Sequence, residues 1–313
     1  MRLMSSASAK SANSTGSRFL DLQSLAALER MRFTTKHRIE GTYSGRHASR
    51  QKGGSGEFVD YREYTPGEDL RRLDWKVYAR TGRSVIRLYQ DETNLSCTLA
   101  IDASGSMLFG AASESDLTGS KLEYAQYLST GFSHIIAGSQ DHVGLAVLAD
   151  DLIESASPGG APTHIAHVQS VIEQITSQQS TVLAPGLNSL FERIRSRGVL
   201  LLISDLLVDD VSEIFAALKL FRHRQFEVIL IHLIHPDEAK LPEGAAFRFE
   251  GLEGEGRIDC SPAEIREEYE RSFEEHLARI RTFALATGCD YRRVSLAQSW
   301  VEVLSSFLVE RSG

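Results

Sequence analysis

Apolar runs alternate with helical patterns of apolar and polar residues from about residue 95 to the end of the chain. Residues 95–101, 198–204 and 226–234 are almost continuously apolar, which is typical of strands buried on both faces of a sheet. Further strands are predicted at 143–148, as a second strand or a hairpin partner, and at 289–294. Helical spacing of apolar residues predicts helices at 121–137, 165–175, 187–194, 211–221, 262–287 and 297–308. This alternation predicts an α/β fold with a doubly wound, mostly parallel sheet.

The first ninety residues carry a different pattern. Residues 18–40 predict an amphipathic helix, since apolar side chains recur at three-residue spacing at Leu22, Leu25, Leu28 and Met31. Residues 41–92 are rich in Gly, Arg and Tyr and predict a small β-rich subdomain, so that 18–92 forms one N-terminal unit. Residues 1–17, rich in Ser and Ala, are expected to be a disordered tail, and 93–313 the main domain.

Two local signals bound the longest predicted helix. Ser261 is expected at its N-cap, Pro262 at its first position, and Glu264 as the residue that closes a capping box. Gly288 supplies a left-handed stop after Thr287. The acidic, glycine-rich segment 249–256 before this helix shows no preceding strand and matches no dinucleotide-binding motif.

Composition narrows the class of protein. The chain has 313 residues, of which 42% are hydrophobic and 24% charged, and these values exclude global disorder and collagen-like structure. No uncharged apolar run reaches the roughly 18 residues that span a bilayer, so no membrane span is expected. The N-terminus has no apolar core of a secretory signal, and three widely spaced cysteines argue against disulfides or a thiolate zinc site. A reducing, cytoplasmic location is therefore predicted.

Charge is distributed unevenly along the chain. Residues 1–90 contain 17 Lys and Arg against 9 Asp and Glu, whereas the whole chain has a net charge of −8. A basic front on an acidic body favours two structural units whose charges partly compensate each other. The alternative is a basic arm that binds nucleic acid or anionic lipid. Its candidate residues are Arg30, Arg32, Lys36, Arg38, Arg46, Arg50 and Lys52.

Oxygen-bearing side chains follow two of the predicted buried strands, where ligands of doubly wound sheets bind. Asp102, Ser104 and Ser106 come after the first strand, Asp205 follows a later one, and Thr181 precedes a predicted helix. Two carboxylates and three hydroxyls suit Mg²⁺ or Mn²⁺. Two negative charges would leave the site neutral, with an open position for a carboxylate of a client protein. The alternative is structural, with Asp102 capping the next helix and the serines satisfying backbone groups.

These residues carry a resemblance to known families. Asp102–Ser106 with Thr181 and Asp205 resembles the metal-ion-dependent adhesion site of von Willebrand factor A domains. The upstream segment GEFVDYREYTPGEDLRRLDWK at 56–76 resembles the signature of the domain-of-unknown-function 58 family. Shorter matches extend this likeness: ART at 79–81, YQDE at 89–92, DHVGL at 141–145, LISD at 202–205 and HPDE at 235–238.

The resemblance, which covers roughly residues 40–310, implies an N-terminal segment joined to a von Willebrand factor A-like, Rossmann-type domain. It also implies action together with MoxR-type AAA+ ATPases, beside which such proteins are often encoded. Some relatives carry N-terminal transmembrane helices, and this sequence shows none. One departure concerns Leu206, because many adhesion sites have Gly after the last Asp. Direct ligation of the metal by Asp205 and a water-mediated role are therefore both open.

The signature segment itself has two interpretations. Its dense mixture of arginines, acids and aromatics is typical of a partner-binding surface. The residues proposed for that surface are Glu57, Asp60, Arg62, Arg71, Asp74, Trp75 and Lys76. Alternatively, its aromatic and apolar side chains pack the small subdomain onto the main domain.

The function expected from these features is a non-enzymatic, divalent-metal-dependent protein-interaction module. By the resemblance, it is an adaptor for a MoxR-type AAA+ ATPase in protein assembly or maturation. One alternative is a Mg²⁺-dependent phosphohydrolase with Asp102 as nucleophile, although Ser104 stands where a general acid is expected and no Lys lies close to Asp205 in sequence. The other is nucleic-acid binding through the basic front, which the acidic body disfavours. No phosphate-binding loop motif occurs, which argues against an NTPase.

Overall fold

The computed structural model describes most of the chain after residue 18. The described ranges are 19–28, 31–35, 57–67, 70–90, 94–111, 118–178, 182–194, 197–241, 247–253 and 256–312. The predicted tail at 1–17 lies outside them.

The described residues form ten strands and nine α-helices. The strands are β1 (Glu57–Glu63), β2 (Val85–Gln90), β3 (Ser96–Asp102), β4 (His142–Leu148), β5 (Leu152–Gly159), β6 (Val199–Ser204), β7 (Glu227–Ile234), β8 (Phe247–Glu250), β9 (Arg257–Cys260) and β10 (Asp290–Ser295). The helices are α1 (Leu22–Leu28), α2 (Trp75–Thr81), α3 (Lys121–Gly138), α4 (Pro162–Gln174), α5 (Leu183–Arg193), α6 (Val211–His223), α7 (Pro236–Ala239), α8 (Pro262–Thr287) and α9 (Trp300–Ser312).

Six strands form the central sheet, in the spatial order β10-β7-β6-β3-β4-β5. All neighbouring pairs are parallel except β4 and β5, which are antiparallel with two register shifts. Every residue of β6 and β7 is buried, as is every residue of β3 after Ser96, which explains their continuous apolar sequences. The expected doubly wound, mostly parallel α/β fold is confirmed.

Helices cover the sheet on both faces. On one face, apolar side chains of α5, α6 and α8 pack with those of the strands in a single cluster, which includes Ala100, Leu202 and Leu230. Helix α3 packs against α4, α9 and the strands β3 and β4, and contributes nothing to that cluster. Because side chains alternate across a strand, neighbours such as Leu99 and Ile101, both fully buried, point to the opposite face. Apolar burial on both faces accounts for most of the stabilisation of such a domain.

The chain divides into two compact units, residues 1–36 with 96–313, and residues 37–95. The second unit contains the antiparallel pair of β1 and β2, joined by a short 3₁₀-helix and α2. The sequence pattern grouped the first helix with this β-rich unit, whereas its contacts group it with the central sheet.

Several element bounds differ from the sequence pattern. Within the described part of the predicted helix 18–40, helix α1 covers Leu22–Leu28, and residues 31–35 are not helical. The reason is tertiary, because the Thr34 carbonyl accepts a hydrogen bond from Arg311 Nε at 2.8 Å. Strands β5, β8 and β9 were not predicted, and β8 precedes the acidic segment that was expected to lack a strand.

Helix α8 starts and stops where the sequence indicated, with one difference. Pro262 occupies its first turn, but the Ser261 side chain makes no capping hydrogen bond, so the predicted capping box is not formed. Gly288 is left-handed, with φ of 74°, and its N–H bonds back to the last turn. A glycine that adopts this conformation without strain thus ends the helix.

Candidate functional site

The site begins with Asp102, the last residue of β3. Asp102 as a whole is 1% exposed. One oxygen, Oδ1, accepts the Ser104 N–H at 2.9 Å, and the other, Oδ2, accepts the Ser204 hydroxyl at 2.5 Å. The carboxylate thus joins the carboxyl ends of two adjacent parallel strands, β3 and β6.

A short 3₁₀-turn, Gly105–Leu108, follows Asp102 and carries the two serines. Their hydroxyl oxygens, Ser104 Oγ and Ser106 Oγ, lie 3.1 Å apart, and both residues are buried. Of the structural alternative, the capping contact of Asp102 is present, because its Oδ1 accepts the Ser104 N–H, whereas the Ser104 side chain makes no capping hydrogen bond. The turn is held from outside by Ser177, whose hydroxyl donates to the Ser104 carbonyl at 2.7 Å.

Asp205 follows β6 and is paired with a lysine that the sequence did not indicate. Lys121 Nζ lies 2.5 Å from Asp205 Oδ2 and also donates to Glu238, while the lysine side chain is fully buried. The other oxygen of Asp205, Oδ1, accepts the Leu207 N–H at 3.1 Å. Glu238 is itself fixed by the His235 N–H, which donates to its Oε2 at 2.9 Å. Two carboxylates therefore share one buried ammonium.

Leu206 occupies the position where many adhesion sites have glycine. It is fully buried and has a φ of 51°, in the left-handed region that disfavours side chains. Its N–H donates to Ser204 Oγ at 2.9 Å. The backbone therefore keeps the conformation that suits glycine, and burial of the leucine side chain offsets the strain.

The electrostatics separate the two aspartates. Burial, and secondly the charge of Asp205, raise the pKa of Asp102 to about 6, although hydrogen bonds from Ser204 and Ser104 act in the opposite direction. Burial also raises the pKa of Asp205, but the Lys121 ammonium outweighs it and holds that pKa below its ordinary value. The pKa of Lys121 is raised by both carboxylates against the opposing effect of burial. Asp205 is thus ionised and paired with Lys121. Asp102 is the carboxylate whose negative charge a bound cation would neutralise.

We expect the Asp102 carboxyl group to stabilise the folded protein more at pH 5 than at pH 7, when unfolding is measured in EDTA. The folded pKa of about 6 lies above the unfolded value, so the folded state takes up the proton first and the contribution of Asp102 to stability rises as pH falls from 7 towards 4. The share of Asp102 is about 1 kcal/mol between pH 7 and pH 5. Urea unfolding of wild type and Asp102→Asn at both pH values measures it. Equal pH dependence in the two proteins contradicts the assignment.

The structure brings together most of the predicted metal residues. Asp102, Ser104, Ser106 and Asp205 meet at the carboxyl edge of the sheet, while Thr181 lies outside the described residues. The sequence reasoning missed Lys121, Glu238, Ser204 and Glu253. Glu238 ends the HPDE match and Ser204 adjoins Asp205, so both carried a signal, whereas Lys121 carried none beyond its place at a helix start.

The oxygen donors fit a divalent cation best at Asp102, Ser104 and Ser106. Two hydroxyls within 3.1 Å of each other and a buried carboxylate are hard ligands of the kind Mg²⁺ and Mn²⁺ take. Among the described residues, no group of three or more His, Cys, Asp or Glu forms a metal cluster, so any metal would depend on the hydroxyls. The Lys121 ammonium already neutralises Asp205, which favours the indirect, water-mediated role for that carboxylate.

The proposed partner surface is only partly a surface. Asp74 is 6% exposed and caps α2, accepting the N–H groups of Lys76 and Val77, so its side chain has a structural role, and its proposed contact with a partner stays a prediction. Trp75 is 57% exposed and packs edge-on to Tyr78 at 6.1 Å between ring centroids. Arg71 and Lys76 are exposed and Arg62 half-buried, while the side chains of Glu57 and Asp60 lie outside the described part.

Most of the basic residues that were proposed to bind nucleic acid lie outside the described part of the chain. Arg32 is described and exposed. The remaining candidates for nucleic-acid contact lie outside the described ranges: Arg30, Lys36, Arg38, Arg46, Arg50 and Lys52. Within the described residues, no helix combines the length and apolarity that crossing a bilayer requires.

Comparisons with known proteins place the chain among its relatives. An uncharacterized protein of Mycobacterium tuberculosis (strain H37Rv) is 25% identical over 295 residues, which cover 91% of this chain and 89% of the relative. The crystal structure of the conserved hypothetical protein BatB from Bacteroides thetaiotaomicron matches 70% of this chain and 99% of its own, with 19% identity and a TM-score of 0.46. The von Willebrand factor A domain of SpRpn10 matches 69% of this chain and 95% of its own, with 11% identity and a TM-score of 0.38.

A family model provides the assignment. The model described as "Protein of unknown function DUF58" matches residues 60–279, more than two thirds of the chain. This span contains the second half of β1 and all of α2, as well as Asp102, Lys121, Asp205 and Glu238. The chain therefore belongs to the DUF58 family of proteins of unknown function.

Proposed function

We propose that this chain is a non-enzymatic protein-interaction module of the von Willebrand factor A-like type. In it, Asp102, Ser104 and Ser106 hold Mg²⁺ or Mn²⁺, and the site captures a carboxylate of a client protein. The observation that carries the proposal is the pair of serine hydroxyls, 3.1 Å apart, beside the buried carboxylate of Asp102 at the carboxyl edge of the sheet. A bound divalent cation would supply the positive charge that attracts the client's carboxylate.

The chain's own residues prepare this site in two ways. Ser204 and the Ser104 N–H orient the Asp102 carboxylate, and Ser177 holds the turn that carries the serines. Lys121 neutralises Asp205, which keeps the local negative charge low enough for one divalent cation to balance it. Supporting contacts of this kind commonly decide metal affinity as strongly as the ligands themselves.

The proposed ATPase partner rests on the family resemblance and on the exposed side of α2. Trp75, Lys76 and Tyr78 are exposed on α2, and Arg71 is exposed in the 3₁₀-helix before it. Exposed tryptophan, tyrosine and arginine are typical of contact surfaces. In the proposal, a MoxR-type AAA+ ATPase binds this unit, and the client binds at Ser104 and Ser106.

Replacing Asp102 or Ser104 by alanine is expected to abolish metal-dependent capture of a partner while leaving the fold intact. Loss of one ligand should weaken divalent-cation binding by at least about tenfold. The measurement is a pull-down from cell lysate with Mg²⁺ and with EDTA, combined with the shift in melting temperature that Mg²⁺ or Mn²⁺ produces in each variant.

Two variants serve as matched controls for that experiment. Asp209→Ala and Ser170→Ala remove a carboxylate and a hydroxyl at exposed positions. Capture that persists unchanged in both Asp102→Ala and Ser104→Ala would refute the proposal. Recovery of an AAA+ ATPase by the wild type, and by a Trp75→Ala variant only weakly, would support the second surface.

One observation favours the phosphohydrolase alternative. The sequence shows no lysine close to Asp205, yet Lys121 Nζ reaches that residue from α3. Phosphoryl transfer by an aspartate nucleophile commonly uses such an ammonium to balance charge. Against it, Lys121 is fully buried and paired with two carboxylates. Hydrolysis of p-nitrophenyl phosphate that disappears in Asp102→Asn would establish the alternative.

A further inference from the structure

The hairpin of β8 and β9 lies outside the central sheet but contacts the site. Its two strands pair antiparallel, and the Arg248 and Asp259 side chains form an ion pair across it at 2.8 Å. Its strand residues are largely exposed; Ile258, for example, is 66% exposed. The Gly251 N–H closes the base of the loop on the Gly256 carbonyl at 2.8 Å. The described part of the hairpin is therefore a self-contained arm, and its loop residues 251–253 belong to the acidic segment.

Glu253, in the loop of this hairpin, reaches the turn that carries the two serines. Its Oε1 accepts the Ser106 N–H at 2.7 Å. The backbone at Gly105 is equally close, since a Cβ at that glycine would lie 2.7 Å from Glu253 Cγ and 2.8 Å from the Leu252 carbonyl oxygen. Glycine at 105 is thus required for the loop to rest on the turn. A carboxylate of this chain sits against the residue that we propose as a metal ligand.

We infer that Glu253 is an internal carboxylate that occupies the place of the client's carboxylate, so that the hairpin must move away before a partner binds. This inference rests on the proposed function. The partner it implies is an acidic peptide segment that presents a glutamate to the Ser106 N–H, as the loop at 251–253 does. The acidic hairpin then regulates the site by competing with the partner.

The contact between Glu253 and the Ser106 N–H is one that a partner can replace. The carboxylates of Asp102 and Glu253 both accept N–H groups of the same turn, those of Ser104 and Ser106. A single hydrogen bond of this kind contributes little net free energy in water, so a partner's carboxylate can displace Glu253 from it. The arm contributes no strand to the central sheet, so its release leaves the fold unchanged. Because the arm is tethered, it competes at a high effective concentration, and an outside segment binds weakly until the arm is displaced.

A peptide-binding experiment on the full chain tests this inference. The variants are Glu253→Ala, Glu253→Gln, and Glu274→Gln as a control that removes an exposed carboxylate of α8. The probe is a fluorescent synthetic peptide with the sequence FEGLEGEGR of residues 249–257, titrated with Mg²⁺ and with EDTA. We expect Glu253→Ala to bind it about 100-fold more tightly than wild type or Glu274→Gln. A peptide with glutamine in place of Glu253 is expected to bind much more weakly.

A second readout needs no ligand. Amide hydrogen exchange at Ser106 is expected to be slow in wild type and Glu274→Gln and faster in Glu253→Ala, because the carboxylate no longer accepts that N–H. Unchanged exchange at Ser106, or equal peptide affinity of wild type and Glu253→Ala, would overturn the inference.

The peptide titration and the pull-down together distinguish failure of the inference about Glu253 from failure of the proposed function. If Glu253→Ala gains no affinity while Asp102→Ala still abolishes metal-dependent capture, the inference fails and the proposed function stands. If Glu253→Ala binds the peptide tightly and adding Asp102→Ala changes nothing, the proposed metal site fails, while the hairpin still covers a carboxylate-binding edge.

Discussion

Replacing Lys121 by methionine is expected to lower the free energy of unfolding by about 3–5 kcal/mol. The substitution keeps the length of the side chain but removes the ammonium that serves two carboxylates, Asp205 and Glu238. Asp205 is buried, so its charge would be left without its counter-ion in a medium that solvates it poorly. Guanidinium unfolding, with slopes compared between variants, measures the loss.

Two further variants make the experiment decisive. Lys219→Met removes an exposed lysine from α6 and is expected to change stability by less than about 0.5 kcal/mol. Adding Asp205→Asn to Lys121→Met is expected to restore part of the loss, because it removes one of the uncompensated charges. A loss below about 1 kcal/mol for Lys121→Met would show that the ammonium does not hold the site together.

The pH dependence of that loss follows from the two pKa shifts. The pKa of Lys121 is raised in the folded state, so its contribution is present below its unfolded value of about 10.4 and is lost as pH rises through the folded value. The pKa of Asp205 is lowered, so its contribution is present above about 3.9 and is lost as pH falls. The difference between wild type and Lys121→Met should therefore be largest around neutral pH.

Arg311→Met is expected to destabilise the protein by a similar amount, about 3–5 kcal/mol. The Arg311 guanidinium is fully buried in α9, forms ion pairs with Glu227 and Asp290, and its Nε donates to the Thr34 carbonyl at 2.8 Å. It also lies over the Phe307 ring, 5.2 Å from the centroid. One side chain thus joins the last helix, two strands of the sheet and the N-terminal segment 31–35.

The matched control is Arg271→Met, on the exposed face of α8. Arg271 pairs with Glu268 and Glu275 at helical spacing, and such exposed pairs contribute about 0–1 kcal/mol. Chemical unfolding compares the two variants, and limited trypsin digestion reports whether cleavage after Arg32 becomes faster in Arg311→Met. Equal effects of the two substitutions would contradict the structural role of Arg311.

Burial decides which parts of the fold the sequence could predict. Strands β3, β6 and β7 are covered on both faces and therefore read as continuous apolar runs. Half of the residues of β5 are exposed and one is buried, and the strands of the β8–β9 hairpin are four residues long, so neither leaves a pattern that differs from a loop. The early end of α1 depends on Arg311, 277 residues away from Thr34, and no local pattern contains that contact.

The candidate site also combines residues that a local sequence pattern predicts with residues that only tertiary contacts reveal. Asp102, Ser104, Ser106 and Asp205 were predictable because the carboxyl ends of parallel strands meet at one edge of the sheet. Lys121 and Glu253 join them across 84 and 147 residues of sequence, respectively, so only tertiary packing reveals them. Asp74 was predicted to lie on a charged surface, but it caps α2. An aspartate directly before a helix is equally consistent with both roles, so the sequence does not distinguish them.

The antiparallel strand β5 has a consequence for how molecules of this protein meet one another. As the outermost strand, it has backbone N–H and C=O groups to which a strand of another chain could bond. Its exposed Glu154, the half-buried Pro158 and its two register shifts each interrupt the regular ladder that such pairing needs. Edge-to-edge joining of sheets, a common route to aggregation, is therefore opposed at this side of the molecule.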